Sequence, residues 1–435
     1  MPQPWRGSAD RRHFLSLRRA ALSQRVAQFA ERPNVKGIAA RLGATQAAAG
    51  FIGGAFTPFL GAWLAWRGLS AGQIAAVLSA GLLLRAIAGP ASGIISDARN
   101  DRRAMMIFLY WIMLIGYGAL TFTTHPIAIF LAAVPAAVAN GAALPLLESV
   151  SVRLSERYGF DYGRVRLWGT SSFVAANILA GACIWRFGLW TLAPWLGVTA
   201  ALCVFTASRL PAPPADHPRR ALGPSLRATL GETRELLSSG VFLIFLAAAS
   251  FDQGSHAFYY AYGGLHWHAI GYSGLLIGLL WPLGAIPEIA LFSVSLRVLR
   301  VMGPARLLLF GGLGCVVRWT ILAFDPPLPL VILSQFLHGA TFALAHLGAM
   351  YFILRAVPPR LAATAQSLYF VCQGGLMMGI ATYASGLIYA DYGGRAYLLM
   401  AAMGVVAMGL AFVLARNWQG GRILHGVSEE HSDTI

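Results

Sequence analysis

The chain has 435 residues, of which 57% are hydrophobic and only 11% charged. Soluble domains carry about a quarter charged residues, so this composition excludes a soluble enzyme and describes an integral membrane protein. The formal net charge of +16 invites a nucleic-acid reading, which the placement of the basic residues excludes.

A bilayer crossing takes about 20 mostly apolar residues. Twelve such runs follow one another, at 43–66, 72–96, 104–123, 127–151, 165–187, 190–208, 241–264, 273–296, 305–324, 329–354, 361–389 and 395–415. The fold class expected is an all-α membrane protein with twelve transmembrane helices in two six-helix halves around a central cavity. Residues 1–42 read as a basic cytoplasmic tail. Its interspersed Phe14, Leu17, Ala21 and Phe29 also fit an amphipathic helix lying on anionic lipid. Residues 43–208 form the N-terminal half, 209–240 a cytoplasmic linker with a short helix at 222–237, 241–415 the C-terminal half, and 416–435 a cytoplasmic tail.

An even number of crossings leaves both termini on one side. Arg67, Arg186 and Arg395 fall on the other side, and Arg85 and Arg318 lie inside apolar runs. Every other basic residue falls on the side of the termini, which is the positive-inside bias. It predicts cytoplasmic termini in a bacterial-type inner membrane, with the lipid bilayer and no nucleic acid as partner.

The halves read as repeats. Gly68 precedes the second span and Gly271 the eighth, and Arg85 and Glu288 each follow their glycine by 17 residues. A site at the interface of two repeats is how secondary transporters are built. Between spans two and three, Gly93, Asp97, Arg102 and Arg103 form a loop. It resembles the signature loop of the major facilitator superfamily, with Ala98 and Asn100 departing from the usual arginine and glycine. Gly93 is expected to permit tight packing and the basic cluster to hold the loop at the membrane surface.

Six side chains sit within or at the edge of apolar runs: Arg85, Glu148, Asp252, Glu288, Arg318 and His338. A charge at the bilayer centre costs about 2.5–3.5 kcal/mol on insertion scales, so such groups face a cavity or each other. Helical spacing puts Asp252, His256, Tyr259, Tyr260 and Gly263 on one face of span seven. Arg166, Thr170, Phe173 and Asn177 share a face of span five, with Arg164 turned to lipid headgroups. Gln335, His338 and Phe342 share a side of span ten. His266 and His268 read as interfacial. The carboxylates of Glu148, Asp252 and Glu288 are candidate proton carriers, and His338 titrates near neutrality when unperturbed. Arginine keeps its proton, so Arg85, Arg166 and Arg318 are fixed positive charges suited to an anion. Cys183, Cys203, Cys315 and Cys372 read as packing residues; no metal or cofactor pattern occurs.

Span one from Gly54 to Leu64, Arg85 ahead of the signature loop, the Tyr162 to Gly169 entry into span five, the Gln253 to Tyr260 run, the Gly278 to Phe292 run and Leu337-His338 in span ten resemble the phenylpropionate permease-like group of the major facilitator superfamily, related to the lactose permease family of oligosaccharide:proton symporters. The resemblance implies substrate contacts at Glu148 and Arg166, a span-seven aspartate at Asp252, and an arginine and histidine at Arg318 and His338. Two positions depart from it: Thr341 stands at the proton-carrying glutamate and Phe173 at the sugar-stacking tryptophan.

Together these residues read as a proton-coupled symporter of a small organic anion of the aryl-carboxylate type, a monomer without cofactors. Arg166 or Arg85 would hold the carboxylate. Glu148, Phe173, Asp252, His256, Tyr259 and Tyr260 would shape the site. Glu288 would carry the proton, paired with Arg166 or Arg318, beside His338. Sugar or nucleoside symport, efflux, and a non-transporting membrane sensor are the alternatives.

Overall fold

A computed structural model describes residues 35–211 and 222–424. The stretch around Phe14 to Phe29 and most of the proline-rich linker lie outside them. Among the described residues, twelve helical segments are long and apolar enough to cross a membrane, the last two continuous through a short turn. They are α1 (Val35–Trp66), α2 (Ala71–Arg99), α3 (Arg102–Leu120), α4 (Pro126–Tyr158), α5 (Tyr162–Phe187), α6 (Leu189–Ser208), α7 (Gly240–Ala269), α8 (Gly274–Ser293), α9 (Arg297–Leu322), α10 (Leu328–Ala356), α11 (362–392) and α12 (Tyr397–Asn417). The last two are joined by a single 3-10 turn at Gly393–Ala396. Helix α1 already includes Val35, ahead of the expected position 43, because it continues past the apolar run through Lys36 and Arg41.

Local chemistry sets the ends. Gly68 and Gly271, the repeat-equivalent glycines, both adopt positive φ, at 86° and 97°, which favours a residue without Cβ. Ser70 then caps α2 in a capping box with Gln73, and Ser273 caps α8 through Leu276 N–H. Asn100 ends α2 in the left-handed region at φ 54°, a conformation that asparagine tolerates. This accounts for asparagine standing where the signature loop usually has glycine.

Large apolar side chains such as Ile87, Ile115, Leu131 and Leu354 point outward and are more than 60% exposed, the surface expected towards lipid. Inside, small residues bring backbones together. A Cβ on Gly50 or Gly54 would overlap α5. Gly93 is different: a Cβ there would meet nothing within 4 Å, so close packing does not explain it. In the signature loop, Arg102 Nε meets Asp97 Oδ1 at 2.6 Å, and its Nη1 also donates to Ser149. Arg103 donates to the Ser208 carbonyl at 2.7 Å. These bonds tie the loop to α4 and α6.

The face bearing this loop and the linker is the linker face, and the opposite one the far face. The two halves meet towards the far face along three seams. On α1–α7, a Cβ on Gly61 or Gly264 would overlap the carbonyls of Ala261 and Pro58. On α5–α8, Gly181 and Gly278 lie against Gly274 and Asn177. On α2–α11, Gly375, Gly379 and Gly386 receive Ala86, Leu83 and Ala75. All these approaches run from the far-face loops to mid-membrane, so the halves are sealed on that side. On the linker face, a helix at Leu222–Leu237 is clasped to the C-terminal half: Arg360 Nη1 meets Glu235 Oε2 at 2.8 Å, and the Thr364 hydroxyl bonds Glu232.

Candidate functional site

A cavity of about 530 Å³ lies between the halves, within the size range of small-molecule sites. Its charged lining consists of Arg85 from α2 and Glu288 from α8. Helix α2 packs on α11, whereas α8 packs on α5. Arg85 and Glu288 therefore come from different halves, on helices that take part in different inter-half seams, and both line the one cavity. Aromatic rings fill much of the remaining wall, among them Phe56, Phe173, Tyr259, Tyr260, Trp281 and Phe342.

Arg85 is seated by its neighbours. Gly141 on α4 leaves room for its side chain, since a Cβ there would overlap Arg85 Cδ. Its Nη2 crosses to the other half and donates to the Gly374 carbonyl at 2.6 Å. One edge of the guanidinium is thus anchored, and the remaining N–H groups stay available to a ligand. Glu288 is half-buried and has no hydrogen bond or ion pair among the described residues. The expected charge partners are not its partners. Arg166 pairs with Glu148, and Arg318 bonds only uncharged groups.

Arg318 is fully buried. It donates to His338 Nδ1 at 2.9 Å, Thr341 Oγ1 at 3.3 Å and Gln335 Oε1 at 3.2 Å. Its guanidinium lies over the rings of Tyr259 and Trp319, at 4.8 and 4.5 Å. Because Arg318 can only donate, His338 Nδ1 accepts, and the imidazole carries its proton on Nε2. Thr341 connects onward to His256 Nε2 at 3.0 Å, and His256 Nδ1 donates to the Gln253 carbonyl at 3.2 Å. The expected acid-to-aromatic face of span seven is therefore divided. Tyr259, Tyr260 and Gln253 line the cavity; Asp252 and His256 do not. His256 stacks behind Tyr260. Asp252 is buried beside Cys315, with the Gln253 amide at 3.3 Å and no cation within ion-pair distance among the described residues.

The physical reason is a change of helix type. The α-helix is interrupted at Ser255 and His256, where the His256 N–H bonds the Gln253 carbonyl at 3.1 Å, and Tyr259–Gly263 then forms a π turn. Gly339–Leu344 and Val371–Met377 are also π, and Trp281–Gly284 is a 3-10 turn. Each of these four segments, all in the C-terminal half, lines the cavity. Irregular backbone within a membrane is tolerated where it is buried in protein or lines a cavity. Spacing counted on an α-helix cannot foresee it.

Glu148 and Arg166 also lie outside the cavity lining. Each is seven residues from a lining residue, Gly141 and Phe173, about 10 Å towards the linker face. Arg164 is solvent-facing and 3.6 Å from Asp161. His266 is buried, 2.6 Å from Asp325, rather than exposed at the interface. Sequence spacing missed Trp281, which stacks on Tyr259 at 4.4 Å, and Gln373. Pro282 lacks a backbone N–H and so disfavours regular α-helix; it is the one signal that marked the segment around Trp281.

Among known proteins, residues 51–400 match the model of a family described as the MFS_1 like family. The chain is 29% identical to a probable 3-phenylpropionic acid transporter of Escherichia coli (strain K12), over 82% of this chain and 93% of that one. It is 27% identical to a maltose permease of Geobacillus stearothermophilus, over 64% and 69%. Among solved structures it superposes on the nucleoside transporter NupG with a TM-score of 0.72 at 18% identity, covering 87% of this chain and 98% of that one. A D-xylose-proton symporter gives a TM-score of 0.63 at 16% identity, covering 88% and 97%. These likenesses are to the same twelve-helix, two-half fold.

Proposed function

The chain belongs to the MFS_1 like family, and from that premise we propose that this membrane transporter is a proton-coupled symporter of small aryl-carboxylates. The observation that carries the reading is that Arg85 and Glu288, one from each half, are the charged residues lining a single aromatic-lined cavity. Arg85 holds the substrate carboxylate, and the rings around it take the aryl group. Glu288 carries the proton. When ionised, it repels an anion held at Arg85; when protonated, that repulsion is gone. Anion and proton therefore favour each other's binding, which is the thermodynamic requirement for symport. The 29% identity to a probable 3-phenylpropionic acid transporter supports this substrate class over a sugar.

The positive-inside bias of the basic loops supports a cytoplasmic linker face in a bacterial inner membrane. The far-face seams then describe a state closed to the outside. Arg318 stands behind the cavity wall and fixes the orientation of His338, which lines it, and the signature loop anchors the N-terminal half.

The test is uptake of labelled 3-phenylpropionate into proteoliposomes driven by an imposed pH gradient. Uptake should collapse in Arg85→Ala, and Glu288→Gln should retain exchange while losing gradient-driven accumulation. Full accumulation by Glu288→Gln, or competition by maltose and nucleosides but not by aryl-carboxylates, would overturn the reading.

A further inference from the structure

The cavity wall that carries Tyr260, Glu288 and His338 has more hydrogen-bonding capacity than the protein itself uses. His338 Nδ1 is occupied by Arg318 at 2.9 Å, which leaves the Nε2 proton without a partner among the described residues. The Tyr260 hydroxyl has no hydrogen-bond partner there either, and neither does the Glu288 carboxylate. All three residues line the cavity. Gly284, one turn before Glu288, packs directly on the His338 side chain, so the imidazole and the carboxylate share one wall. Polar groups in such a wall are costly unless a ligand or water completes them.

We propose that the substrate is an aryl-carboxylate bearing a hydroxyl on the ring end distal to its carboxylate, bound with the carboxylate at Arg85 and the hydroxyl among Tyr260, Glu288 and His338. This rests on the proposed function above and specifies its substrate class. The wall offers both donors and an acceptor, and a hydroxyl both accepts and donates. A distal ammonium fits less well. It can only donate, the Arg318 guanidinium behind His338, without a carboxylate partner among the described residues, repels a second cation, and Glu288, protonated in the loaded state proposed above, offers it no opposite charge.

The experiment is competition against labelled 3-phenylpropionate in proteoliposomes. The competitors are 3-phenylpropionate, its 2-, 3- and 4-hydroxyphenyl analogues, and its 4-aminomethylphenyl analogue. The 4-hydroxy compound should compete at a concentration about tenfold lower than the parent, the size of one good hydrogen bond, and more strongly than the 2-hydroxy isomer. In Tyr260→Phe and His338→Asn, the ratio of the 4-hydroxy compound to the parent should approach one. Equal competition by parent and 4-hydroxy compound, preference for the 2-hydroxy isomer or the aminomethyl analogue, or a preference that survives both variants would overturn it. If a variant does not fold, the isomer series on the unmodified chain still decides. Competition that depends on Arg85 but ignores the hydroxyl sinks this inference alone. Absence of any Arg85-dependent competition by aryl-carboxylates removes the proposed function as well.

Discussion

Arg166 Nε meets Glu148 Oε1 at 2.9 Å, and the other oxygen of Glu148 accepts from the Tyr162 hydroxyl at 2.5 Å. The pair joins the end of α4 to the start of α5 within one half, and it sits on the linker side of the cavity. The Glu148 and Arg166 side chains are 27% and 42% exposed, so solvent screens the attraction. Glu148→Gln and Arg166→Ala should therefore leave KM for an aryl-carboxylate within about twofold of the parent. Their coupling in a thermal-unfolding double-mutant cycle should be below about 1 kcal/mol. A tenfold rise in KM in either variant would return the pair to the substrate site.

Gly141→Ala should behave as an indirect loss of Arg85. The new methyl occupies the space of Arg85 Cδ, so the guanidinium must leave both its seat and the Gly374 carbonyl. KM for aryl-carboxylates should rise about tenfold or more, the cost of one misplaced charged hydrogen bond. A kinetic comparison of Gly141→Ala with Gly118→Ala, where a Cβ meets nothing within 4 Å, checks this.

Arg318→Ala should be among the most damaging substitutions to stability. It strips donors from His338, Thr341 and Gln335 at once, and the last two are fully buried. A loss of about 3 kcal/mol is expected, from buried acceptors left unmade. Arg318→Lys should recover only part of it, because an ammonium cannot span the same fork. Chemical or thermal unfolding in detergent measures both.

The linker clasp carries a pH dependence. The hydrogen bond from Arg360 holds the Glu235 carboxyl below its usual pKa. A carboxylate whose folded pKa is depressed stabilises the clasp above its unfolded pKa, and loses that contribution as pH falls through the folded value. Hydrogen exchange in Leu222–Leu237, corrected for intrinsic rates, should be slow at neutral pH and accelerate below the ordinary glutamate range. Glu235→Gln should abolish that acid-induced change. An exchange profile in Glu235→Gln that still tracks the parent would place the transition elsewhere.

Much of the fold was legible because its determinants are local. Apolar run length marks the crossings, Gly68 and Gly271 mark equivalent turns, and the Ser70 and Ser273 caps come just after them. The site was legible at Arg85, Phe173, Tyr259, Tyr260, Glu288 and His338, which do line one cavity. Counting three or four residues per turn failed across Ser255 and His256, where α7 breaks before its π turn and leaves Asp252 and His256 outside. Charge pairing failed for a different reason. Arg166 could satisfy a carboxylate in either half, and the choice of Glu148 depends on tertiary packing that no local pattern records.

The π turns also bear on how this cavity can be altered. A π turn is an α-helix carrying one surplus residue, so removing that residue restores regular helix while the flanking segments keep their phase. Single-residue deletions are ordinarily ruinous in a spanning helix, because they rotate everything beyond them. At the π turn of α10, which carries none of the seam contacts, they are instead a route to new specificity, re-aiming ligand-facing side chains while the seams stay in register; the π turns of α7 and α11 hold Ala261 and Gly375 of the seams and have less freedom. The wall around Arg85 and Gly141, built on regular helix, offers no such slack and can change only by substitution.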